Sequence, residues 1–159
     1  MGKLLSDRYQ FKLGSTKDSN LLASFMQLAY QELFPDRQNF SHLLGTVEKH
    51  LHSNTPLWWV EEPEKITTDR DYIACLWMGR AQDQVRGEDL AYIFLLYVNP
   101  EHRRLGIGKA LIQEGINWAI AKKYNQISLQ VFANNQIALN LYQNLGFKQQ
   151  SLLLSKNLN

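Results

Sequence analysis

The sequence predicts an α/β fold in one domain, residues 1–159, with a mixed sheet and helices on its faces in the order βααβββαβαβ. Three observations predict it. Two early stretches carry apolar residues at three-to-four spacing and are followed by three strand-like runs. An apolar run then ends in a glycine-containing turn that passes directly into a helical pattern. A short alternating run is followed by a last helix that stops at glycine. With 159 residues, 45% hydrophobic and 20% charged, the chain can bury a full core.

The elements follow in order. Tyr9-Gln10-Phe11-Lys12-Leu13 alternates and predicts a first strand. Thr16 or Asp18 then caps a helix whose apolar residues Leu21, Leu22, Phe25, Leu28, Ala29 and Leu33 recur at helical spacing until Pro35. Phe40, Leu43, Leu44, Val47 and Leu51 repeat that period in a second helix, which Pro56 closes off. Leu57-Trp58-Trp59-Val60 opens an aromatic-rich strand, and the polar segment Glu61 to Arg70 joins it to Tyr72–Ala81 as a hairpin. A second polar segment, Gln82 to Glu88, leads into the strand Tyr92–Val98. Ile127–Val131 alternates as a fifth strand. The helix from Asn135 sets Ile137, Ala138, Leu141, Tyr142 and Leu145 on one stripe before Gly146. Lys148 to Asn159 leave room for one long strand or a tight hairpin. Leu152, Leu153 and Leu154 in a row suit a strand buried on both faces, which favours a homodimer.

Composition excludes several classes. A net charge of +2, with basic and acidic residues interleaved, gives no footprint for nucleic acid. The longest apolar run, Leu90 to Val98, is too short to cross a bilayer, and the N-terminal residues show no secretory pattern. Met1-Gly2-Lys3-Leu4-Leu5-Ser6 fits the loose myristoylation pattern, which is short enough to recur by chance. The single cysteine, Cys75, allows no internal disulfide and fits a reducing, cytoplasmic compartment; within an apolar strand it is inert filler. His42, His50 and His52 are dispersed without a carboxylate-rich pattern, so no metal site is expected.

The chemistry concentrates at Arg103-Arg104-Leu105-Gly106-Ile107-Gly108, between the apolar strand and Lys109-Ala110-Leu111-Ile112. A glycine turn opening a helix aims unpaired backbone N–H groups at one point, and the helix dipole adds positive potential there. Arg103 and Arg104 stand at the rim with guanidinium donors. The site suits a phosphate-rich ligand, although a plain strand-to-helix connection reads the same way. Leu111 stands where a Rossmann loop needs its third glycine, and the Walker spacing before Lys-Ser/Thr is missing.

Some thirty residues later, Asn135, Ala138, Leu141-Tyr142 and Gly146-Phe147 form a second pattern: Asn, two residues, Ala, two residues, Leu-Tyr, three residues, Gly-Phe. Together with the R-x-x-G-x-G turn it resembles the GCN5-related N-acetyltransferase (GNAT) superfamily, strongly over residues 90–148 and compatibly before them. The resemblance implies a mostly antiparallel central sheet flanked by helices on both faces, and acyl transfer from acetyl-coenzyme A to an amine of a small molecule or peptide by direct attack. It implies that Leu96, Tyr97 and Val98 meet the pantetheine arm, where a backbone N–H polarises the thioester carbonyl, and that Arg103, Arg104, Leu105, Gly106, Ile107, Gly108 and Lys109 wrap the pyrophosphate. Asn135 caps its helix or contacts pantetheine, with Asn134 as the alternative cap. Tyr142 matches the tyrosine whose hydroxyl protonates the departing thiolate.

The general base stays open. The position that carries a glutamate in histone-type members is Tyr92 here, leaving a water relay, Glu88 or Asp89, or an amine of low pKa. By position, Tyr30, Glu32, Asp36, His42, Trp58, Trp77 and Tyr97 are candidates for acceptor contacts, with Trp58, Trp59 and Trp77 also reading as core. Two other functions fit the residues: a catalytically weak acyl-coenzyme A binding module, and a nucleotide- or nucleic-acid-binding domain using the same turn.

Overall fold

Every residue of the Leu57–Glu61 strand is buried, because the sheet it belongs to is covered on both faces. The computed structural model describes residues 6–65 and 71–159; the first five residues of the myristoylation pattern and residues 66–70 of the polar connection lie outside the described residues. Strands β1 (Gln10–Leu13), β2 (Leu57–Glu61), β3 (Tyr72–Gln82), β4 (Asp89–Val98) and β5 (Ile127–Leu129) form one sheet in sequential order. Neighbours are antiparallel from β1 to β4 and parallel between β4 and β5. The parallel pair needs a crossover, which α3 (Ile107–Ala121) supplies. Helices α1 (Ser19–Leu33), α2 (Leu43–His50) and α4 (Gln136–Asn144) complete the domain.

Alternation along the strands divides the core in two. Leu57, Trp59, Cys75, Trp77, Leu95 and Tyr97 face Leu22, Phe25 and Met26 of α1 and Leu43 and Val47 of α2. Trp58, Val60, Ala74, Leu76, Met78, Ala91 and Ile93 face Ile107, Leu111 and Ala119 of α3. In β4 the parity changes midway: Ala91 and Ile93 share a face with Leu96 and Val98, whereas Leu95 and Tyr97 point the other way. The cause is a bulge. Trp77 pairs with Leu95 and Met78 with Ile93, so Phe94 is an extra residue that flips all that follows.

Helix α3 seats close to the sheet at Gly115, whose missing Cβ would collide with the Met78 sulfur and lie 3.0 Å from Leu76 Cδ2. Met78 and Leu76 are fully buried, so neither has space to yield. Gly115→Ala is expected to destabilise the fold by about 1–3 kcal/mol through overpacking, read as a lowered Tm with unchanged far-UV circular dichroism.

The structure refines three sequence expectations. The entry to α1 is a 3₁₀ turn, Thr16–Asp18, capped by Ser15; the Ser15 hydroxyl accepts from the Lys17 N–H, and the Asp18 carboxylate accepts from the Ser15 N–H. Ile137 leaves the predicted stripe of α4 and is 71% exposed. Tyr142 centres the buried face, and at about 100° per residue Ile137 stands roughly 140° around the helix from it. The chain after Phe147 adds no strand, and Leu152, Leu153 and Leu154 are 74%, 85% and 86% exposed rather than buried on both faces. The edge strand β5 has only three residues, too few to template a long partner, and among the described residues no further layer covers a run of leucines pointing both ways.

Candidate functional site

Strands β4 and β5 stay together only briefly. Ala91 pairs with Ile127, Tyr92 with Ser128 and Ile93 with Leu129, and from the Phe94 bulge onward β4 continues along β3 alone. The β4 edge over Leu96, Tyr97 and Val98 therefore faces an opening whose other lip is the segment after β5. A bulge bends its strand and increases local twist, which explains why the strands part where Phe94 is inserted. The side chains stay in the core: Leu96 and Val98 pack toward α3 and Tyr97 toward α1. Burial and the adjacent Glu32 carboxylate hold the Tyr97 phenol above its ordinary pKa.

β4 ends in a 3₁₀ turn, Pro100–His102, capped by the Asn99 side chain, and His102 Nδ1 lies 3.0 Å from the Tyr9 hydroxyl. Arg104 and Gly106 then adopt left-handed conformations with φ of 61° and 83°. Alternating left-handed residues at a helix start form a concavity of amides, the geometry that binds anions. Gly106 is the N-cap of α3 with no side chain over the amides, and the helical ladder begins with the Ala110 N–H on the Gly106 carbonyl at 3.0 Å. The N–H groups of Ile107, Gly108 and Lys109 precede that bond. A Cβ at Gly106 would meet no atom within 4 Å, so open space lies beside the turn; one at Gly108 would lie 3.4 Å from Leu141 and 3.9 Å from Val98. The end of β4, the start of α3 and the body of α4 thus converge on Gly108. Ile107 is buried as the anchor, while Arg104, Leu105 and Lys109 are exposed around the turn.

Arg103 leans away from its neighbours. Its guanidinium grips both oxygens of Glu32 at 2.7 and 2.9 Å, donates Nε–H to the Val98 carbonyl at 2.8 Å, and stands over the Tyr97 ring. It ties the end of α1 to the end of β4. Arg104 and Lys109 are left as the exposed cations of the turn.

Tyr142 sits in the buried face of α4, edge-on to Phe147 at 5.4 Å between ring centroids. Burial pushes its phenol well above the ordinary tyrosine range, so it stays protonated and able to donate. The Asn135 side chain accepts from the Ala138 N–H at 3.2 Å and caps α4, while Asn134 donates from Nδ2 to the Leu33 carbonyl, linking the β5–α4 segment to α1.

The remaining candidates separate. Trp58 and Trp77 are core, 8% and 1% exposed. Tyr30, Asp36 and His42 line a cavity of about 780 Å³ between the α1–α2 connection and Phe132. Asp89 opens β4 and pairs with Arg80 at 3.3 Å, seven residues or ~23 Å of extended strand from Leu96. Tyr92 is half-buried near Tyr30, its pKa raised by burial. Cys75 is fully buried, and burial pushes its thiol up, away from a nucleophilic thiolate. The cavity walls Phe34, Arg37, Phe40 and Phe132 escaped the sequence; the only signal for Phe132 was its place just after an alternating strand. Among the described residues no group of three or more His, Cys, Asp or Glu is placed to hold a metal ion, and no helix is long and apolar enough to cross a membrane.

A sheet parting beside a glycine turn is a fold-level arrangement, and comparison with known proteins identifies it. Residues 21–147 match the acetyltransferase (GNAT) family. The chain belongs to that family. Among relatives of this GNAT protein, an uncharacterized N-acetyltransferase of Bacillus subtilis (strain 168), YycN, is 31% identical over 77% of this chain and 72% of its own length. Human N-acetyltransferase 8 is 30% identical over 48% of this chain, but the match spans only 39% of the human protein. A protein from Clostridium acetobutylicum described as a predicted acetyltransferase, solved with acetyl-CoA, shares the fold with a TM-score of 0.72 at 20% identity, over 94% of this chain and 96% of that one.

Proposed function

We propose that this GNAT protein transfers an acetyl group from acetyl-coenzyme A to an amine by direct attack within a ternary complex. The observation that carries the proposal is the parting of β4 from β5 after Ile93–Leu129, on the same strand that ends in the Gly106 turn. An extended pantetheine arm fits the free edge of Leu96–Val98 as a strand substitute, and a diphosphate fits the amides at residues 104–109, where Gly106 leaves open space. Lys109 and Arg104 supply charge at the rim. Asn135 serves by capping α4 and so placing Tyr142, which lies one helix face away from Leu141 and the Gly108 junction.

In the reaction the amine lone pair attacks the thioester carbonyl, a β4 backbone N–H stabilises the oxyanion, the C–S bond breaks, and one proton passes from nitrogen to sulfur. Tyr142 donates to the sulfur as charge develops. Ordinary pKa values near 10 for phenol and 8.5 for thiol already make full transfer uphill by about 2 kcal/mol, and burial of Tyr142 raises that cost further. The phenol therefore acts as donor and relay, taking back the proton that the acylated nitrogen sheds. With Tyr92 at the position of the family's strand carboxylate, nitrogen loses its proton through water rather than to a β4 side chain.

That same missing carboxylate favours one other function, a module that binds acyl-coenzyme A without turnover. Two measurements separate the readings. Calorimetry is expected to show uptake of acetyl-coenzyme A competed by coenzyme A and not by NAD, and thiol release is expected to depend on an added amine. Uptake without amine-dependent release leaves the binding module; no uptake removes both. Gly106→Val sharpens the donor site, since a β-branched residue at φ 83° is strained and its side chain enters the open space of the turn. It is expected to weaken acetyl-coenzyme A binding by about tenfold or more, from roughly 1–3 kcal/mol of backbone strain relieved by distorting the turn.

A further inference from the structure

We infer that the acceptor is a compact primary amine with a single positive charge, carried on an aryl or bulky apolar body that packs against Tyr30, Phe34 and Phe132. The inference rests on the acetyl-transfer reading and deepens it. The three rings come from two distant segments and meet edge to face: Phe34 to Phe132 at 5.0 Å and 87°, Tyr30 to Phe132 at 6.1 Å and 76°. They line one cavity of about 780 Å³, inside the size range of small-molecule pockets. Phe34 and Phe132 are nonetheless 36% and 47% exposed, so apolar ring surface is left for a ligand to cover. Edge-to-face packing leaves ring faces open, and those faces attract both another aryl group and an ammonium. The cavity adjoins the reacting region, because Phe132 belongs to the lip of the opening between β4 and β5, and Asn134 fastens that lip to the end of α1.

Charge in the cavity limits the ligand to one cation. Asp36 is an exposed carboxylate with no ion pair among the described residues. Arg37 stands next to it with a cation of its own, its Nε–H turned to the Asn39 carbonyl. Asp36 is the one carboxylate among the lining residues, and Glu32, one turn earlier at the end of α1, is already held by Arg103 through two hydrogen bonds. A polycation would bring two or more ammonium groups to one free carboxylate and would meet Arg37. A monoamine on an apolar body satisfies Asp36 and covers the rings.

The test measures kcat/KM for acetyl transfer to 2-phenylethylamine, hexylamine, spermidine, an aminoglycoside and tetrapeptides beginning with Phe or Ser. The expected result is a preference of about tenfold or more for the aryl and hexyl amines, or for the Phe peptide over the Ser peptide, relative to spermidine and the aminoglycoside. The two arms tell whether the aryl amine is free or heads a peptide. Phe132→Ala is expected to cost about tenfold or more on the aryl acceptor, with Tm and KM for acetyl-coenzyme A nearly unchanged, since Phe132 is half-exposed in a loop. Asp36→Asn is expected to raise the amine KM. Preference for spermidine or the aminoglycoside, an unaffected Phe132→Ala, or turnover of other amines with none of the aryl amine, hexylamine or the Phe peptide each overturns the inference. Failure to take up the donor, or uptake with no amine turned over, overturns instead the acetyl-transfer reading beneath it.

Discussion

Tyr142→Phe is expected to lower kcat by about 10²–10⁴-fold while leaving KM for acetyl-coenzyme A within about threefold, as removal of a proton donor used only in the transition state would do. The substitution deletes one oxygen and keeps the ring against Phe147, so packing of α4 changes little. Burial disfavours the phenolate and raises the pKa above its ordinary value of 10, so the wild-type donor keeps its proton throughout the alkaline range. The rate should therefore rise as the acceptor amine deprotonates and show no falling limb from this group below pH 10. A steady-state pH profile with both variants checks this. Unchanged kcat in Tyr142→Phe, with an intact Tm, would make Tyr142 a core residue of α4 and no part of the chemistry.

The glycine turn was legible because its requirements are local. A strand that must stop, a residue with positive φ at Gly106 and a helix that starts without a side-chain cap all follow from a handful of adjacent residues. The Tyr142 stripe was legible for the same reason, apart from Ile137, whose angle relative to the buried face depends on where the helix docks. The parting of β4 from β5 was not derivable from the alternation. Ile127–Val131 keeps its alternation through residue 131, yet pairing ends at Leu129 because Phe94 bulges on the other strand. Periodicity in one strand carries no information about a bulge in its neighbour.

Two further differences have the same origin in tertiary context. Leu152–Leu154 reads as a buried strand by composition, but only a second covering layer would bury it, and none of the elements among the described residues provides one. Arg103 and Arg104 look equivalent in sequence. A carboxylate some seventy residues earlier separates them: Glu32 at the end of α1 captures Arg103, and only Arg104 keeps a free head at the turn. The rings of the cavity are still less visible, since Phe34 and Phe132 lie in segments whose contact is made by the fold, secured by the Asn134 to Leu33 hydrogen bond.

Trp59→Ala is expected to cause the largest loss of stability. Trp59 has no exposed surface, stacks on Tyr72 at 4.8 Å, meets Phe25 of α1 edge-on at 5.1 Å and donates its indole N–H to the Asp18 carboxylate at 3.2 Å. Removing a buried aromatic costs about 3–5 kcal/mol through lost transfer energy and the cavity left behind. Asp18, itself buried at the entry to α1, also loses a donor, and a hydrogen bond to a charged group is worth about 1.5–3 kcal/mol. The two overlap, so about 4–6 kcal/mol in total is expected, and for a domain of this size that lowers Tm by on the order of 10–20 °C. Trp59→Phe divides the sum, because it keeps one aromatic ring in the core while losing the N–H and the rest of the indole volume; it should cost about 1–3 kcal/mol. The consequence reaches the acceptor side, since Phe25 holds α1 and α1 carries Tyr30, Glu32 and the chain into Phe34. In Trp59→Ala held below its Tm, KM for the amine should rise more than KM for acetyl-coenzyme A, whose cradle is built on β4 and α3. Equal changes in both constants would mean that α1 and the glycine turn loosen together, through the Glu32–Arg103 pair that joins them.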